Sequence, residues 1–278
     1  MNVCAITNVY NENFNLPIWL RHYGKQVGIE NCIVVDDGTD DGSTKDIGDA
    51  NYIRVPRTTF DDVNRAEMIS MLATAMLRKY DAVIYSDADE LLVADPRRFS
   101  NLVDFCEKMS GPAVTAIGLN LLHNLNYESF LNGDTGILHQ RSYVQFVSPM
   151  CKTLIVREAP SWGGGFHSSK FEPTFSDLYL FHLRYVDLGE ALRRMNTTRG
   201  VVFADASAGT HQRLPQPDLI NLFLASLALP VSSEFLFSDL TTRFCSGIKL
   251  SHTGRYYYDG DFRSTSLFVV PDEFKGIF

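Results

Sequence analysis

Short apolar runs alternate with amphipathic stretches along the first 120 residues of the chain. Apolar runs of this length, bounded by turn residues, predict buried strands. They lie at Val3–Ile6, Cys32–Val35 and Ala82–Tyr85, and further strands are predicted at Tyr52–Val55 and Ala113–Leu119. Between them, apolar residues recur every three or four positions, which is the period of a helix with one buried face.

Polar residues that favour helix starts precede these amphipathic stretches. We expect Asn15 to cap the first helix, Asp61 and Asp62 to begin the second, and Asp95 to begin the third just before Pro96. The resulting order is β-α-β-β-α-β-α-β. This alternation predicts an α/β fold, with a mostly parallel sheet that is flanked by helices on both faces.

The pattern is less regular after residue 120, so we expect the C-terminal part to be irregular. An apolar-polar alternation places His182 on one strand face and its neighbours in the chain on the other. The predicted elements are strands at Tyr143–Val147, Thr153–Val156 and Leu178–Val186, a helix from Asp187, an apolar helix at Leu219–Leu229 and a hairpin turn at Asp259–Gly260.

Composition and charge narrow the class of protein. Of the 278 residues, 45% are hydrophobic, and the formal net charge of −8 argues against a nucleic-acid partner. The five cysteines form no CxxC pair, so we expect them to be reduced. No signal segment is evident, and we expect a cytoplasmic protein. Leu219–Leu229 is too short to span a bilayer. It either is buried, which we favour, or makes a peripheral membrane contact.

Carboxylates follow two of the predicted strands directly. Asp36 and Asp37 come after the second strand, and Asp87, Asp89 and Glu90 come after the fourth. Ligands of open α/β sheets bind at the edge formed by the carboxyl ends of the strands. For Asp36 and Asp37, the alternative is a helix cap or turn without any functional role.

Arg65 lies on the inward face of the second predicted helix, four residues before Ile69. A cation on a core-facing stripe requires an anion. A phosphate, a nucleotide base or the pair Asp36 and Asp37 would serve as this partner, and the alternative is a structural ion pair. The sequence leaves these two alternatives equally open.

Asp87 and Asp89 are separated by one residue, so in extended backbone their carboxylates point the same way. Hard divalent cations such as Mn²⁺ and Mg²⁺ take oxygen ligands of this kind and leave coordination positions for phosphate. A cation there would neutralise a leaving diphosphate. The DxD pattern at a strand end therefore indicates a metal and nucleotide site.

In combination, these motifs resemble family 2-like glycosyltransferases of the GT-A fold. The matching segments are Tyr10–Glu12, Leu16–Tyr23, Val34–Gly42 and Ser86–Leu91, which cover the N-terminal third of the chain. Leu178–Tyr185 is similar to a later strand of the family that carries a histidine. The resemblance implies one domain over residues 1–278. Its residues 1–119 would bind the nucleotide sugar, and residues 120–278 would bind the acceptor.

The resemblance also implies roles for individual residues. Asp87 would reach the ribose or the metal, Asp89 would ligate the metal, and His182 would be a third metal ligand. For His182, the alternative is a hydrogen-bonded core histidine. The remaining nucleotide-binding residues implied by the motifs are Asn8, Tyr10, Asp36, Asp37 and Arg65.

The chain departs from the family in its catalytic base. Inverting members use a carboxylate that deprotonates the acceptor hydroxyl, and no Glu-Asp motif follows Leu119. Glu90 either orients the neighbouring aspartates or faces the acceptor. The other candidates for the base are Asp134, His167, Glu158 and Glu172.

The expected activity is metal-dependent sugar transfer from a nucleotide diphosphate sugar, with a UDP-sugar favoured, to a glycan or lipid-linked acceptor in polysaccharide biosynthesis. We expect inversion, as in the family. One alternative is a carbohydrate-binding protein on a transferase fold, which would use aromatic residues such as Trp162, Phe166 and Tyr256–Tyr258. A less favoured alternative, a sugar nucleotidyltransferase, requires a glycine-rich loop where this chain has Asn8–Asn13.

Overall fold

A computed structural model describes residues 1–133, 135–199 and 215–278, with the side chains of 197–199 excluded. Asp134, one predicted catalytic candidate, therefore lies outside the described residues. The strands are β1 Val3–Val9, β2 Cys32–Asp37, β3 Asn51–Val55, β4 Ala82–Tyr85, β5 Glu90–Ala94, β6 Ala113–Leu122, β7 Tyr143–Phe146, β8 Thr153–Val156, β9 Ser168–Ser169, β10 Phe175–Tyr185, β11 Val231–Ser232, β12 Ile248–Leu250, β13 Tyr256–Tyr258 and β14 Leu267–Val269. The α-helices are α1 Asn15–Val27, α2 Asp62–Met76, α3 Leu102–Lys108, α4 Ile137–Gln140, α5 Leu188–Arg199, α6 Gln216–Leu227 and α7 Ser238–Ser246.

The main sheet has the strand order β11-β14-β7-β6-β8-β4-β1-β2-β3, and β10 joins it beside β6 and β5. Strands β4, β1, β2 and β3 are all parallel to one another. Helices α1 and α2 pack against this parallel part. The predicted α/β class, with a mostly parallel nucleotide-side sheet flanked by helices, is confirmed.

Strand β6 connects this parallel part to the C-terminal strands. It pairs antiparallel with β8 and β7, and parallel with β10. Strand β10 in turn pairs antiparallel with β5. Strands from both halves of the chain therefore share one sheet, and β10 lies between β5 and β6.

Helix α1 fixes the strand that carries the acidic cluster. Its residues Trp19 and Tyr23 are fully buried because their side chains fall on one helix face. Trp19 Nε1 donates a 2.8 Å hydrogen bond to Ser86 Oγ, and Tyr23 Oη accepts one of 3.0 Å from the Leu92 amide. These bonds satisfy buried polar groups on both sides of the turn between β4 and β5.

Two predicted helix starts need correction. Asn15 is not the cap of α1, because Phe14 occupies that position, and the Asn15 amide bonds to Glu12 instead. The third helix begins at Leu102 and is capped by Asn101, which accepts from the Asp104 amide. Asp95 does not begin that helix, because its carboxylate binds the backbone and guanidinium of Arg97. The second start is confirmed, since Asp61 caps α2.

The hairpin of the C-terminal part is also displaced from its predicted position. Strands β12 and β13 pair antiparallel around a turn at residues 251–255, whereas Asp259–Gly260 follows β13. Gly254 has a φ of 73°, a conformation that favours glycine, which explains the earlier turn. Among the described residues, no helix combines the length and apolar character needed to cross a bilayer.

Candidate active site

A cavity of about 590 Å³ opens at the carboxyl ends of β1 and β4. It lies where the edge of a parallel sheet is expected to bind ligands. Its walls are mostly polar and include Asn8, Tyr10, Glu12, Asp37, Arg57, Arg65, Asp87, Asp89, Glu90, Asn120, Lys152, His167, His182 and Arg194, together with Tyr185, Leu219, Leu222 and Arg263.

A row of three polar residues crosses three neighbouring strands beneath this cavity. His182 of β10 is the register partner of Glu90 in β5 and of Asn120 in β6. Directly paired residues lie on the same face of a sheet. Asp89 sits just before β5, and its carbonyl accepts a 2.8 Å hydrogen bond from the Leu183 amide. Strand pairing therefore assembles Asp89, Glu90 and His182 into one cluster.

The imidazole of His182 has a defined orientation. Its Nδ1 donates a 2.8 Å hydrogen bond to Asn120 Oδ1, and its Nε2 lies 3.3 Å from Asp89 Oδ2. Burial lowers the pKa of His182 despite the opposing effect of Asp89. In the neutral ring, the Nε2 lone pair faces a carboxylate oxygen. A protonated Nε2 would donate to Asp89, whereas in the neutral ring a cation could bind between the two atoms.

Glu90 is buried with only half of its hydrogen-bonding capacity used. Lys152 Nζ lies 2.6 Å from Glu90 Oε1, whereas Oε2 is buried without a hydrogen-bond partner among the described residues. Burial raises the pKa of Glu90, Lys152 opposes this effect, and the charges of Asp87 and Asp89 add to it. An unsatisfied buried carboxylate oxygen is costly, and a bound cation would relieve that cost.

Asp89 contacts a cation from the C-terminal half as well as His182. Arg194 Nη1 lies 3.3 Å from Asp89 Oδ2, and Arg194 Nη2 lies 2.8 Å from Glu12 Oε1. Burial opposes ionisation of Asp89, but Arg194, His182 and Arg184 outweigh it and hold the pKa of Asp89 well below its usual range. Asp89 is therefore a charged carboxylate at the base of the cavity.

Asp87, the first aspartate of the DxD sequence, is held differently. Its Oδ1 accepts 2.8 Å hydrogen bonds from Arg65 Nη1 and from the Tyr85 hydroxyl. Its Oδ2 lies 3.7 Å from Lys152 Nζ. Burial opposes ionisation, but Arg65 and Lys152 lower the pKa of Asp87. Asp87 therefore already has cationic partners, and the three clustered ligand atoms that could hold a metal belong to Asp89, Glu90 and His182, within 4.8 Å of one another.

The ion pairs around this cluster do not balance its charge. They join the carboxylates of Glu12, Asp62, Asp87, Asp89 and Glu90 to only three cationic side chains, those of Arg65, Lys152 and Arg194. Among these ion pairs of the described residues the carboxylates outnumber the cations, and Arg184 also lowers the pKa of Asp89.

Lys152 reaches the cluster because two backbone segments approach very closely. The Ala116 amide donates a 3.0 Å hydrogen bond to the Lys152 carbonyl. At Gly118, a Cβ atom would lie 2.3 Å from the carbonyl carbon of Met150, so β6 tolerates only glycine there. This packing leaves the Lys152 side chain 3% exposed between Asp87 and Glu90.

The acidic pair after β2 has complete partners. Asp36 is fully buried, and its carboxylate binds Tyr52, Arg54 and the Thr39 amide, so it lies behind the cavity wall and is not part of it. Asp37 reaches the wall and pairs with Arg57. Burial opposes ionisation of Asp36, but its partners lower its pKa.

The cavity wall near β1 combines an amide, an aromatic ring and a guanidinium. Asn8 Nδ2 donates a 3.0 Å hydrogen bond to the Val35 carbonyl, which fixes the amide between β1 and β2. The Arg57 guanidinium lies 3.7 Å above the centre of the Tyr10 ring. Asn8 and Tyr10 thus line the cavity, and their binding of a nucleotide stays a prediction.

The catalytic-base candidates fall into different positions. His167 lines the cavity, and its Nδ1 donates a 2.8 Å hydrogen bond to the Pro149 carbonyl. Glu158 and Glu172 are exposed and lie outside the residues that form the cavity. Glu90 borders the cavity but is 2% exposed.

Sequence reasoning missed Glu12, Asn120, Lys152 and Arg194. Asn120 follows the apolar run Ala113–Leu119, so its place at a strand end was a usable signal. Lys152, which directly precedes the buried run Thr153–Val156, gave a second usable signal. Arg194 gave no such signal, because helical arginines are usually solvated.

Comparison with known proteins assigns no family: no family model matches the chain, and no curated protein matches it. Among solved structures, it is similar to a mannosyltransferase from Pyrobaculum calidifontis in complex with GDP-Man and Mn²⁺, with 22% identity, a TM-score of 0.32, and coverage of 42% of this chain and 35% of that one.

Two further solved structures show a similar level of likeness. S. aureus TarS has 14% identity over 56% of this chain and 28% of its own, with a TM-score of 0.33. A mannose-1-phosphate geranyltransferase from Thermus thermophilus has 11% identity over 81% of this chain and 65% of its own, also with a TM-score of 0.33. The chain thus spans less than two thirds of the length of these structures. Similarity at these TM-scores assigns no activity.

Proposed function

We propose that this chain is a metal-dependent glycosyltransferase that uses a nucleotide diphosphate sugar. The observation that carries this proposal is the cluster of Asp89, Glu90 and His182 at the carboxyl edge of the sheet, where a buried Glu90 oxygen has no hydrogen-bond partner among the described residues. Carboxylates also outnumber cations in the ion pairs described around this cluster. Both features suit one divalent cation beside a cavity large enough for a nucleotide sugar.

The donor set favours Mn²⁺, with Mg²⁺ as the alternative, because carboxylate oxygens are joined by one imidazole nitrogen. Asp89 and His182 would be the primary ligands, with Glu90 Oε2 beside them. Asn120 would keep the His182 Nε2 lone pair directed at the cation. A cation held there would neutralise part of the charge on a leaving diphosphate.

Asp87 has a separate role in this proposal. Because Arg65, Tyr85 and Lys152 surround its carboxylate, it would hold Arg65 at the nucleotide side of the cavity and would not ligate the metal directly. Arg65 would then form ion pairs with both Asp87 and the nucleotide phosphate. The sequence left open whether Arg65 forms a structural ion pair or contacts a ligand, and in this proposal it does both.

Nucleotide binding would use Asn8, Tyr10 and Asp37, which line the same side of the cavity. Asp36 does not line the cavity and would act indirectly, by fixing the position of Arg54. We favour a UDP-sugar as donor. The acceptor, a glycan or lipid-linked glycan, would enter from the side of Tyr185, Leu219 and Leu222.

For inverting transfer, a base must remove the proton of the acceptor hydroxyl. His167 fits this role better than Glu90 among the described residues, because it is exposed in the cavity and a Pro149 hydrogen bond fixes its ring. Glu90 is buried against Lys152 and is better suited to the metal.

The proposal is tested by incubating the protein with a panel of nucleotide sugars, with Mn²⁺, with Mg²⁺ and with chelator, and measuring release of the nucleoside diphosphate. We expect release from one donor, dependent on Mn²⁺, and loss of that release in Asp89→Ala. Asp104→Asn is the matched control, since Asp104 pairs with Lys108 on the outer surface of α3.

Two results would contradict the proposal. One is the absence of turnover and of metal-dependent nucleotide binding by calorimetry in the wild type, which would favour a carbohydrate-binding module. The other is wild-type turnover in Asp89→Ala, which would remove the metal role of the cluster.

A further inference from the structure

Arg194 is one of the residues through which the C-terminal half contacts the acidic cluster, together with Lys152 and His182. It lies on α5, beyond β10, and forms an ion pair with Asp89. Its guanidinium contacts Glu12 in the loop after β1 at 2.8 Å and Asp89 at 3.3 Å. The side chain is 31% exposed and borders the cavity.

The two contacts of Arg194 have different strengths. Arg194 Nη2 makes the close 2.8 Å contact with Glu12 Oε1, and Nη1 lies 3.3 Å from Glu12 Oε2. Glu12 also accepts a 2.9 Å hydrogen bond from Asn15 Nδ2, which anchors the carboxylate to α1. Paired contacts of this kind fix the plane of a guanidinium. Glu12 therefore holds Arg194 in place independently of Asp89.

The contact with Asp89 is the one that a cation would replace. Asp89 Oδ2 is the same oxygen that faces His182 Nε2, so Arg194 and a metal ion would compete for it. Displacement would leave Arg194 beside the metal, still anchored by Glu12, with hydrogen-bond donors facing the cavity. Guanidinium groups bind phosphate oxygens through paired hydrogen bonds.

We infer that Arg194 binds the diphosphate of a metal-bound nucleotide, that Glu12 positions it, and that in the ligand-free protein it occupies part of the cation site. This inference rests on the proposed function. It gives a residue of the C-terminal half a role in binding the nucleotide of the donor. It also predicts that Mn²⁺ and the diphosphate each bind more tightly when the other is present.

The inference makes two predictions of opposite sign for Arg194→Met. Binding of Mn²⁺ alone should be unchanged or tighter, because a competing cation is removed. Binding of a nucleoside diphosphate with Mn²⁺ should weaken by about tenfold or more, the loss expected for a charge-assisted hydrogen bond. A structural role would instead weaken both and lower the thermal midpoint.

The experiment measures free Mn²⁺ by electron paramagnetic resonance with and without UDP or GDP, and nucleotide affinity by calorimetry. Arg194→Lys keeps the charge and should lose less diphosphate affinity than Arg194→Met. Glu12→Gln releases Arg194 and should also weaken diphosphate binding, with uridine or guanosine binding unchanged. Arg98→Met is the control, since Arg98 pairs with Asp177 outside the cavity.

The inference is overturned if Arg194→Met binds the Mn²⁺–diphosphate pair as tightly as the wild type, or if it loses Mn²⁺ and diphosphate affinity in parallel. If Arg194→Met does not fold, Arg194→Lys with undiminished diphosphate affinity overturns it as well. A wild type that binds neither Mn²⁺ nor a nucleoside diphosphate rejects the proposed function itself, and this inference with it.

Discussion

Two acidic clusters stand at the same edge of the sheet, and they differ in how their charge is balanced. At the end of β2, Asp36 and Asp37 each face an arginine of the neighbouring segment, Arg54 or Arg57. After β4, Glu90 leaves one buried carboxylate oxygen without a hydrogen-bond partner among the described residues. Nearly identical sequence patterns thus produce one closed cluster and one open cluster.

The difference teaches that position at a strand end is not sufficient to define a binding site. A carboxylate whose partners are complete stabilises the fold, because its desolvation is offset locally. A carboxylate whose partners are incomplete costs stability until a ligand arrives. The incomplete cluster is therefore the better candidate for function, and the following variants test that distinction.

The largest expected contrast is in metal affinity. Asp89→Asn should weaken Mn²⁺ binding by about a hundredfold or more, because it removes a charged primary ligand. Asp37→Asn should change the Mn²⁺ affinity by less than about twofold, because Asp37 pairs with Arg57 and is not one of the clustered metal-ligand candidates. Arg57 is partly exposed, so solvent can replace the lost ion pair. Titration of Mn²⁺ by electron paramagnetic resonance measures both. Equal losses in the two variants would erase the distinction between the clusters.

The second contrast is in stability, and here the larger loss is expected in the cluster of Asp36 and Asp37. Asp36→Asn should lower the free energy of unfolding by about 1 to 3 kcal/mol, since a buried carboxylate that binds Tyr52, Arg54 and the Thr39 amide is removed while the half-exposed Arg54 can be solvated. Chemical denaturation in the presence of chelator measures this effect. Tyr52→Phe is the milder companion, because it deletes one hydrogen bond to Asp36 and keeps the ring. Asp36→Asn with wild-type stability would contradict a structural role.

A smaller effect on Mn²⁺ binding is expected at Asn120, which hydrogen-bonds to His182. Asn120→Ala should weaken Mn²⁺ binding by about tenfold, because the His182 ring loses the acceptor that fixes its tautomer. Asn120→Asp should retain more affinity, since it keeps an acceptor at that position. Unchanged affinity in Asn120→Ala would mean that His182 does not ligate the metal.

The smallest effect concerns pH. Because the folded-state pKa of Glu90 is raised above its unfolded value, the folded protein binds the extra proton. Stability without metal is therefore full below the unfolded pKa and falls as pH rises through the folded one. Glu90→Gln should flatten this decline, although loss of the ion pair with buried Lys152 lowers stability at every pH. Thermal melting with chelator at pH 5 and pH 8 is the measurement.

Strands β1, β2 and β4 of the parallel part could be predicted because they are buried and form continuous apolar runs, whereas β3 is largely exposed. Strands β1, β2 and β4 lie at the predicted runs, and Asp61 caps α2 as predicted. The third helix could not be placed from Asp95, since local bonding of that carboxylate to Arg97 competes with helix capping.

The carboxylates of the site could be predicted, but their counter-charges could not. Asp87 and Asp89 follow an apolar run directly, so their location depends only on local sequence. Lys152 and Arg194 arrive through strand pairing and helix packing between distant segments. Whether a charged cluster is complete depends on such long-range partners, and no local pattern encodes it.

The register between β5 and β10 also links the cation to folding. Glu90 and His182 meet only when these strands pair correctly, and a slip of one residue would turn His182 to the opposite face. A cation that binds this arrangement has no equivalent site in the unfolded chain. By mass action, it would raise the free energy of unfolding by about 2.7 kcal/mol at a hundred times its dissociation constant. Metal supply would then control how much correctly assembled protein accumulates, in addition to how fast that protein turns over.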